Sequence, residues 1–292
     1  MLRAMTRKGV KKPSIAIVGA GSLGSALAVS LSKAGYRVTE VVGRGSRSSQ
    51  RRAQSLARRV GARVVTVGKD PIQSDVVWLL VPDREIRHCA ETLVGFGEWR
   101  RKVVFHSSGA LSSRELRSLQ RRGAAVASVH PMMTFVASVV PELAGVPFAV
   151  EGDGLAVQAA RRIVKALGGE SFDIDKRRKP AYHAWGAFAS PLLLSLWVTA
   201  ERAAELAGIS RENARSKMLP IIRQTLANYA ERGPEHAFSG PLIRGDVATL
   251  EKNLKALQRL PEVRNVYLAL ARSAVSNLPA KNRTKLRRTL HV

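Results

Sequence analysis

Four stretches of the chain carry side chains suited to moving a proton at a C–O or C–N bond. His130 stands in Val-His-Pro-Met-Met-Thr-Phe (129–135), where a proline fixes the turn behind it. An imidazole, with an unperturbed pKa of about 6.5, gives or takes a proton near neutrality. The plainer reading is a ring that only shapes the turn. Lys179 and His183 are four residues apart and so share a helix face. A cationic lysine there donates to a developing alkoxide, unless it is merely the solvated end of the basic run 176–179. Ser107 and Ser108, in His-Ser-Ser-Gly-Ala (106–110), offer hydroxyls to a substrate or cofactor amide, or else cap the helix that follows. Arg244 and Asp246 flank Gly245 and bind substrate, with a cap on the next helix as the alternative role of Asp246.

These groups need a frame, and the frame begins at residues 14–24, Ser-Ile-Ala-Ile-Val-Gly-Ala-Gly-Ser-Leu-Gly. An apolar run empties into G-x-G-x-x-G at Gly19, Gly21 and Gly24, with Ala20, Ser22 and Leu23 between them, and a helical pattern follows. Strand, glycine turn and helix are the context of a dinucleotide fingerprint. Gly19 permits the turn, Gly21 lets backbone amides approach a pyrophosphate, and Gly24 packs helix on strand. About 20 residues later an NAD site carries Asp or Glu for the ribose 2′-hydroxyl. This chain has Arg44, Ser46 and Arg47 there, a set that favours a 2′-phosphate and hence NADP. Glu40, the nearest acid, sits within the strand.

Alternating strands and helices continue to residue 174. Val81–Pro82, His106–Ser108 and His130 all stand at strand ends, where open α/β sheets bind ligands. The expected fold is an α/β, Rossmann-like, doubly wound and mostly parallel sheet followed by an all-helical C-terminal domain. Its expected divisions are a basic extension (1–12), a dinucleotide-binding domain (13–175), a helical domain (176–280) and a basic tail (281–292). Helices are expected near 112–122, 180–207, 211–232, 246–259 and 262–277, with Pro191 interrupting the second of these.

Forty-eight Lys and Arg against 22 Asp and Glu leave a formal charge of +26. The basic residues are spread along the chain and aromatics make up only 5%, which favours non-specific polyanion affinity over a dedicated nucleic-acid function. Cys89 is the single cysteine, which excludes an intramolecular disulfide, and no metal-site spacing occurs. The apolar stretch 181–200 is broken by His183 and Pro191, so no membrane span is expected, and no secretory signal pattern opens the chain. The cytoplasm is the expected compartment.

With Ile-Val-Gly-Ala-Gly-Ser-Leu-Gly (17–24), Val-Pro-Asp (81–83), His-Ser-Ser-Gly-Ala (106–110), Val-His-Pro-Met-Met-Thr-Phe (129–135), Pro-Phe-Ala-Val-Glu-Gly-Asp (147–153), Lys-Pro-Ala-Tyr-His-Ala (179–184) and Gly-Pro-Leu-Ile-Arg-Gly-Asp (240–246), the sequence resembles bacterial proteins that join a Rossmann-like domain to a DUF2520 domain. That family is in turn distantly similar to pyrroline-5-carboxylate reductase, prephenate dehydrogenase and the β-hydroxyacid dehydrogenases. The resemblance implies an NADP-linked oxidoreductase acting on a small carbonyl, imine or hydroxy acid and dimerising through its helical half. A deazaflavin such as F420 is an alternative redox partner. His130 resembles the His-Pro segment of the prephenate dehydrogenases. Lys179 and His183 match half of the Lys and Asn pair of the β-hydroxyacid dehydrogenases. Ser190-Pro191 departs from the Ser-Asn expected there, which leaves a non-catalytic NADP-binding protein as the alternative function.

Overall fold

The computed structural model describes residues 12–43, 45–67, 69–137 and 139–291. The chain divides into two compact units, Met1–Gly186 and Ala187–Val292. The first holds an eight-stranded sheet in the order β3-β2-β1-β4-β5-β6-β7-β8. Its strands are β1 (Ile15–Val18), β2 (Val38–Gly43), β3 (Arg63–Thr66), β4 (Val76–Leu79), β5 (Val103–His106), β6 (Ala125–Pro131), β7 (Pro147–Gly152) and β8 (Glu170–Asp173). Pairing is parallel throughout except between β6 and β7.

The strand order follows from burial. Ile-Ala-Ile-Val of β1 and Val-Val-Trp-Leu of β4 are enclosed on both faces, which is why they read as unbroken apolar runs and lie side by side at the centre. Helices α1 (Ser22–Lys33), α2 (Arg47–Val60) and α5 (Gly154–Ala166) cover one face. Helix α3 (Asp83–Leu93) and the short α4 (Arg117–Gln120) cover the other. In α2 only Ser49, Ala53, Leu56 and Ala57 are buried, a narrow stripe between arginines. Ser46 caps its start by accepting from the Ser49 amide, and Gly61 ends it at φ 68°. The segment expected as a helix over 112–122 is a 3₁₀ turn at Ser113–Leu116 running into α4, and Glu151 of β7 accepts from the Ser113 amide and hydroxyl at 2.6 and 2.8 Å at its start.

Glu40, the acid nearest the glycine turn along β2, is held inside the protein. It is 1% exposed, and Arg63, the Gln73 and Ser74 amides and the Ser74 hydroxyl all donate to it. Those donors lie at the start of β3 and in the approach to β4, away from the ends of the strands where the glycine turn stands. Glu40 is a structural clamp.

The first unit continues into α6 (Lys179–Ala189), beyond the expected boundary at residue 175. The reason is Lys179, which is fully enclosed and donates to the Ser108 carbonyl at 2.9 Å and the Ser128 hydroxyl at 2.7 Å, so the helix start is tied to the sheet. The helix ends at Ala189, and Pro191 opens α7 (Pro191–Glu205) as its first residue, where the missing amide costs no helical bond.

The second unit adds α8 (Arg211–Ala237), α9 (Pro241–Arg244), α10 (Val247–Ala256), α11 (Pro261–Asn277) and α12 (Arg283–Leu290). α8 is broken at Gly233, φ 74°, close to the expected end at residue 232. The expected basic tail is instead a docked helix. Leu286 and Leu290 of α12 are fully buried against Leu250, Leu254, Leu268 and Val275, and Arg272 donates to the Leu290 carbonyl. Two leucines four apart carry an anchor that the surrounding charges hide. Among the described residues no helix is long and apolar enough to cross a membrane.

Candidate functional site

Each glycine of the first turn has a distinct reason to be there. Gly19 lies at φ 107°, and a Cβ on it would stand 2.5 Å from the Leu80 carbonyl oxygen. A Cβ on Gly24 would stand 1.9 Å from the Gly19 carbonyl oxygen. Both are required by the protein itself. Gly21 differs: it has ordinary extended backbone (φ −81°), and a Cβ there would meet nothing within 4 Å. Its missing side chain keeps open a space in front of α1. That helix has no side-chain cap and no acid in its first turn, and the first amide to find a helical partner is that of Ser25, to the Gly21 carbonyl at 2.8 Å. The amides before it remain free to meet an anion.

This space belongs to a hollow of about 500 Å³. Gly19, Ala20, Gly21 and Ser22 form one side, Leu80, Val81 and Pro82 another, and Ser49, Arg52, Ser55 and Arg59 of α2 a third. Val81 and Pro82 thus line the same hollow as the glycine turn, while Leu23 packs against the core. Ser46 and Arg47 do not line the hollow; Ser46 is occupied as the cap of α2. Arg44 lies outside the described residues.

Further along the same edge of the sheet, β5 and β6 end in the second group of candidates. From β1 to β6 is three strand spacings, about 14 Å. His130 is half-buried at the end of β6. Its Nδ1 is 2.8 Å from the Tyr182 hydroxyl, and the two rings meet edge to face. Tyr182 is 7% exposed, and among the described residues its hydroxyl has no other partner, so this one bond is tied to the tautomer: the hydroxyl donates to a ring protonated on Nε2 or accepts from one protonated on Nδ1. Nε2 is directed at Gly109: a Cβ on that glycine would lie 2.8 Å from it and 2.7 Å from Cδ2 of His183. The two imidazoles, 6.4 Å apart between centroids, therefore stand over a bare stretch of backbone.

Burial, followed by the Lys179 charge, pushes the His130 imidazole down to about 4, so it is neutral at pH 7. Burial alone raises the Tyr182 hydroxyl to about 12. The pair is an uncharged hydrogen bond. Burial also lowers Lys179 to about 8, with Glu151 and Asp83 holding it up against a larger fall. His106 is fully enclosed, accepts the Ser108 amide on Nδ1 and is pushed by burial to about 4; no partner meets hydrogen-bond geometry at its Nε2.

The serines are spent internally. The Ser107 hydroxyl accepts from the Trp78 indole and donates to the Val129 carbonyl. The Ser108 hydroxyl donates to Asp83 and accepts from the Ala110 and Leu111 amides. Both shape the loop beneath His130. In the second unit, Asp246 accepts from the Thr249 amide and hydroxyl and so caps α10, while Arg244 is exposed and forms no direct ion pair with it. Among the described residues no group of three or more His, Cys, Asp or Glu is placed to hold a metal ion.

Tyr182 is the member of the site that sequence reasoning missed. It lies within Lys-Pro-Ala-Tyr-His-Ala, but its partner is 52 residues away, and only the fold brings them together.

Family models match the chain twice, with a Rossmann-like domain over residues 3–131 and a domain of unknown function, DUF2520, over residues 146–274. The chain joins a Rossmann-like domain to a DUF2520 domain. The DUF2520 match opens at β7, so the His130–Tyr182 bond links the last strand of the Rossmann-like match to the DUF2520 stretch, within one compact unit. None of the curated proteins compared with the chain matches it. Solved structures of the same fold include a proposed NADP oxidoreductase from Bacteroides fragilis, 21% identical with a TM-score of 0.75, covering 90% of this chain and 97% of that one. An imine reductase from Myxococcus stipitatus in complex with NADP+ is 18% identical with a TM-score of 0.67, covering 95% and 100%. A pyrroline-5-carboxylate reductase from Coxiella burnetii is 13% identical with a TM-score of 0.59, covering 90% and 98%. The Rossmann-like and DUF2520 assignment and the distant similarity to pyrroline-5-carboxylate reductase agree with the sequence reading.

Proposed function

We propose that the protein is an NADP-dependent oxidoreductase acting on a small carbonyl, imine or hydroxy-acid substrate, and that it works as a homodimer. The observation that carries the reading is the open space at Gly21 in front of uncapped α1, in a hollow with no carboxylate among its described lining residues. It is a cradle for a pyrophosphate, and Glu40 is unavailable to a ribose. The solved structures described as an NADP oxidoreductase and an imine reductase with NADP+ support the same cofactor.

When bound, a reduced nicotinamide supplies hydride to the substrate carbon. The chain's part is to orient and polarise. His130, neutral and with its proton on Nε2, donates a hydrogen bond to the substrate oxygen or nitrogen as charge gathers there. This replaces the role of charged acid, since an imidazole near pKa 4 carries no extra proton at neutrality, and the proton that completes the product comes from solvent. Tyr182, donating to Nδ1, fixes this tautomer, and Lys179 positions the Ser108 and Ser128 groups beneath the ring. His183, exposed beside His130, supplies a second polar edge to the substrate.

The dimer follows from α7 and α8. Ala214 is the single buried residue among the 27 of α8, while Ile221, Leu226 and Tyr229 are more than half exposed, as is Leu194 on α7. A helix with so little buried face needs a further surface to cover it, and a second copy supplies one by symmetry. Sedimentation velocity followed in the absorbance of reduced nicotinamide tests both statements. NADPH is expected to travel with a species of twice 31.7 kDa. NADPH left behind overturns the cofactor reading, and a 31.7 kDa species at micromolar protein overturns the dimer.

A further inference from the structure

The hollow that contains the glycine turn has a wall that the turn does not explain. Arg52, Ser55 and Arg59 of α2 line it at spacings of three and four, hence on one helix face. Other arginines of the first unit, among them Arg63, Arg87 and Arg161, meet carboxylates. Among the described residues Arg52 and Arg59 meet none, and no carboxylate lines the hollow. Two guanidiniums and the positive end of α1 therefore face one space with no carboxylate among the described residues to oppose them.

Water can solvate exposed guanidiniums, but a pair of them beside free helix-terminal amides forms a surface suited to an anion. The free amides of α1 suit a pyrophosphate, which leaves the α2 guanidiniums for a further negative group. Of the described residues in the loop before α2, Ser46 is held as a helix cap and Arg47 lies outside the lining. We infer that Arg52, supported by Arg59, receives the 2′-phosphate of NADP, so that the exposed face of α2 sets the choice between NADP and NAD. A guanidinium fork meets phosphate oxygens two at a time and keeps its charge at any working pH. The inference rests on the proposed reading of the hollow as the dinucleotide site.

The test is titration of NADPH and of NADH, separately, into the full-length protein and its Arg52→Ala, Arg59→Ala and Arg58→Ala variants. All three side chains are exposed, so truncation leaves the core intact. Arg58 does not line the hollow and controls for the loss of one positive charge. Arg52→Ala is expected to weaken NADPH by about 10- to 100-fold, the range for a hydrogen bond between charged groups, and Arg59→Ala by less. NADH is expected to stay within about twofold, and Arg58→Ala close to the parent with both. Equal weakening of NADPH and NADH by Arg52→Ala overturns the inference, since the guanidinium then serves the pyrophosphate. So does unchanged NADPH affinity. A parent protein that binds neither nucleotide, or both alike, overturns the NADP reading itself, and its result differs from either of those patterns.

Discussion

A Gly21→Val protein is expected to fold and melt as its parent does and yet to lose dinucleotide binding by about 10²–10⁴-fold. The fold survives because residue 21 has extended backbone that any residue adopts and because a Cβ there meets no protein atom within 4 Å. Binding fails because the added methyls occupy the place where a pyrophosphate approaches the α1 amides. Loss of two hydrogen bonds to a charged group is worth about 3–6 kcal/mol, which sets the range. Gly24→Ala is the contrast: its Cβ would lie 1.9 Å from the Gly19 carbonyl oxygen, so the helix must move and stability falls with affinity. Isothermal titration beside thermal melts separates the two. A Gly21→Val protein that still binds NADPH as the parent does removes the hollow as the cofactor site.

His130→Asn is expected to keep NADPH affinity and lose turnover by about 10²–10³-fold, the cost of one preorganised donor at a developing negative charge. The hollow contains no part of His130, which is why the two effects separate. A screen of imines, keto acids and hydroxy acids with NADPH must first supply a substrate. The pH profile then tests the protonation state. With the imidazole at about 4, this residue contributes no break between pH 5 and 7. A break near pH 6.5 that vanishes in His130→Asn restores the ordinary acid–base histidine. Unchanged turnover in the variant removes the ring from the mechanism.

Much of the frame was legible because local chemistry fixes it. The apolar runs of β1 and β4 are buried on both faces, and α2 spans Arg47–Val60 as its stripe and cap require. Pro191 starts a helix where a break was expected. What escaped depends on contacts between distant positions. Lys179 ends a basic run and looks solvated, yet the Ser108 carbonyl and Ser128 hydroxyl receive it inside the sheet. Ser107 and Ser108 look available, yet Trp78 and Asp83 hold them. α12 looks like a tail because charges surround its two anchoring leucines. Arg52 and Arg59 are two arginines among many until α2 is laid beside the glycine turn.

The enclosed ammonium of Lys179 also makes folding a proton-linked equilibrium in an unusual direction. In the unfolded chain this lysine holds its proton up to about 10.5, and in the folded protein only to about 8. Between those values the unfolded state binds more protons, so stability rises with pH across the window and the gain is complete only above it. For a residue with no exposed surface the gain is up to about 3 kcal/mol. Thermal melts of the parent and Lys179→Met between pH 8 and 10.5 isolate it, because every other titrating group is common to both. The stability difference between the two proteins is expected to shift steadily in the parent's favour as pH rises, and a constant difference would mean that the folded lysine keeps its proton across the window as the unfolded one does.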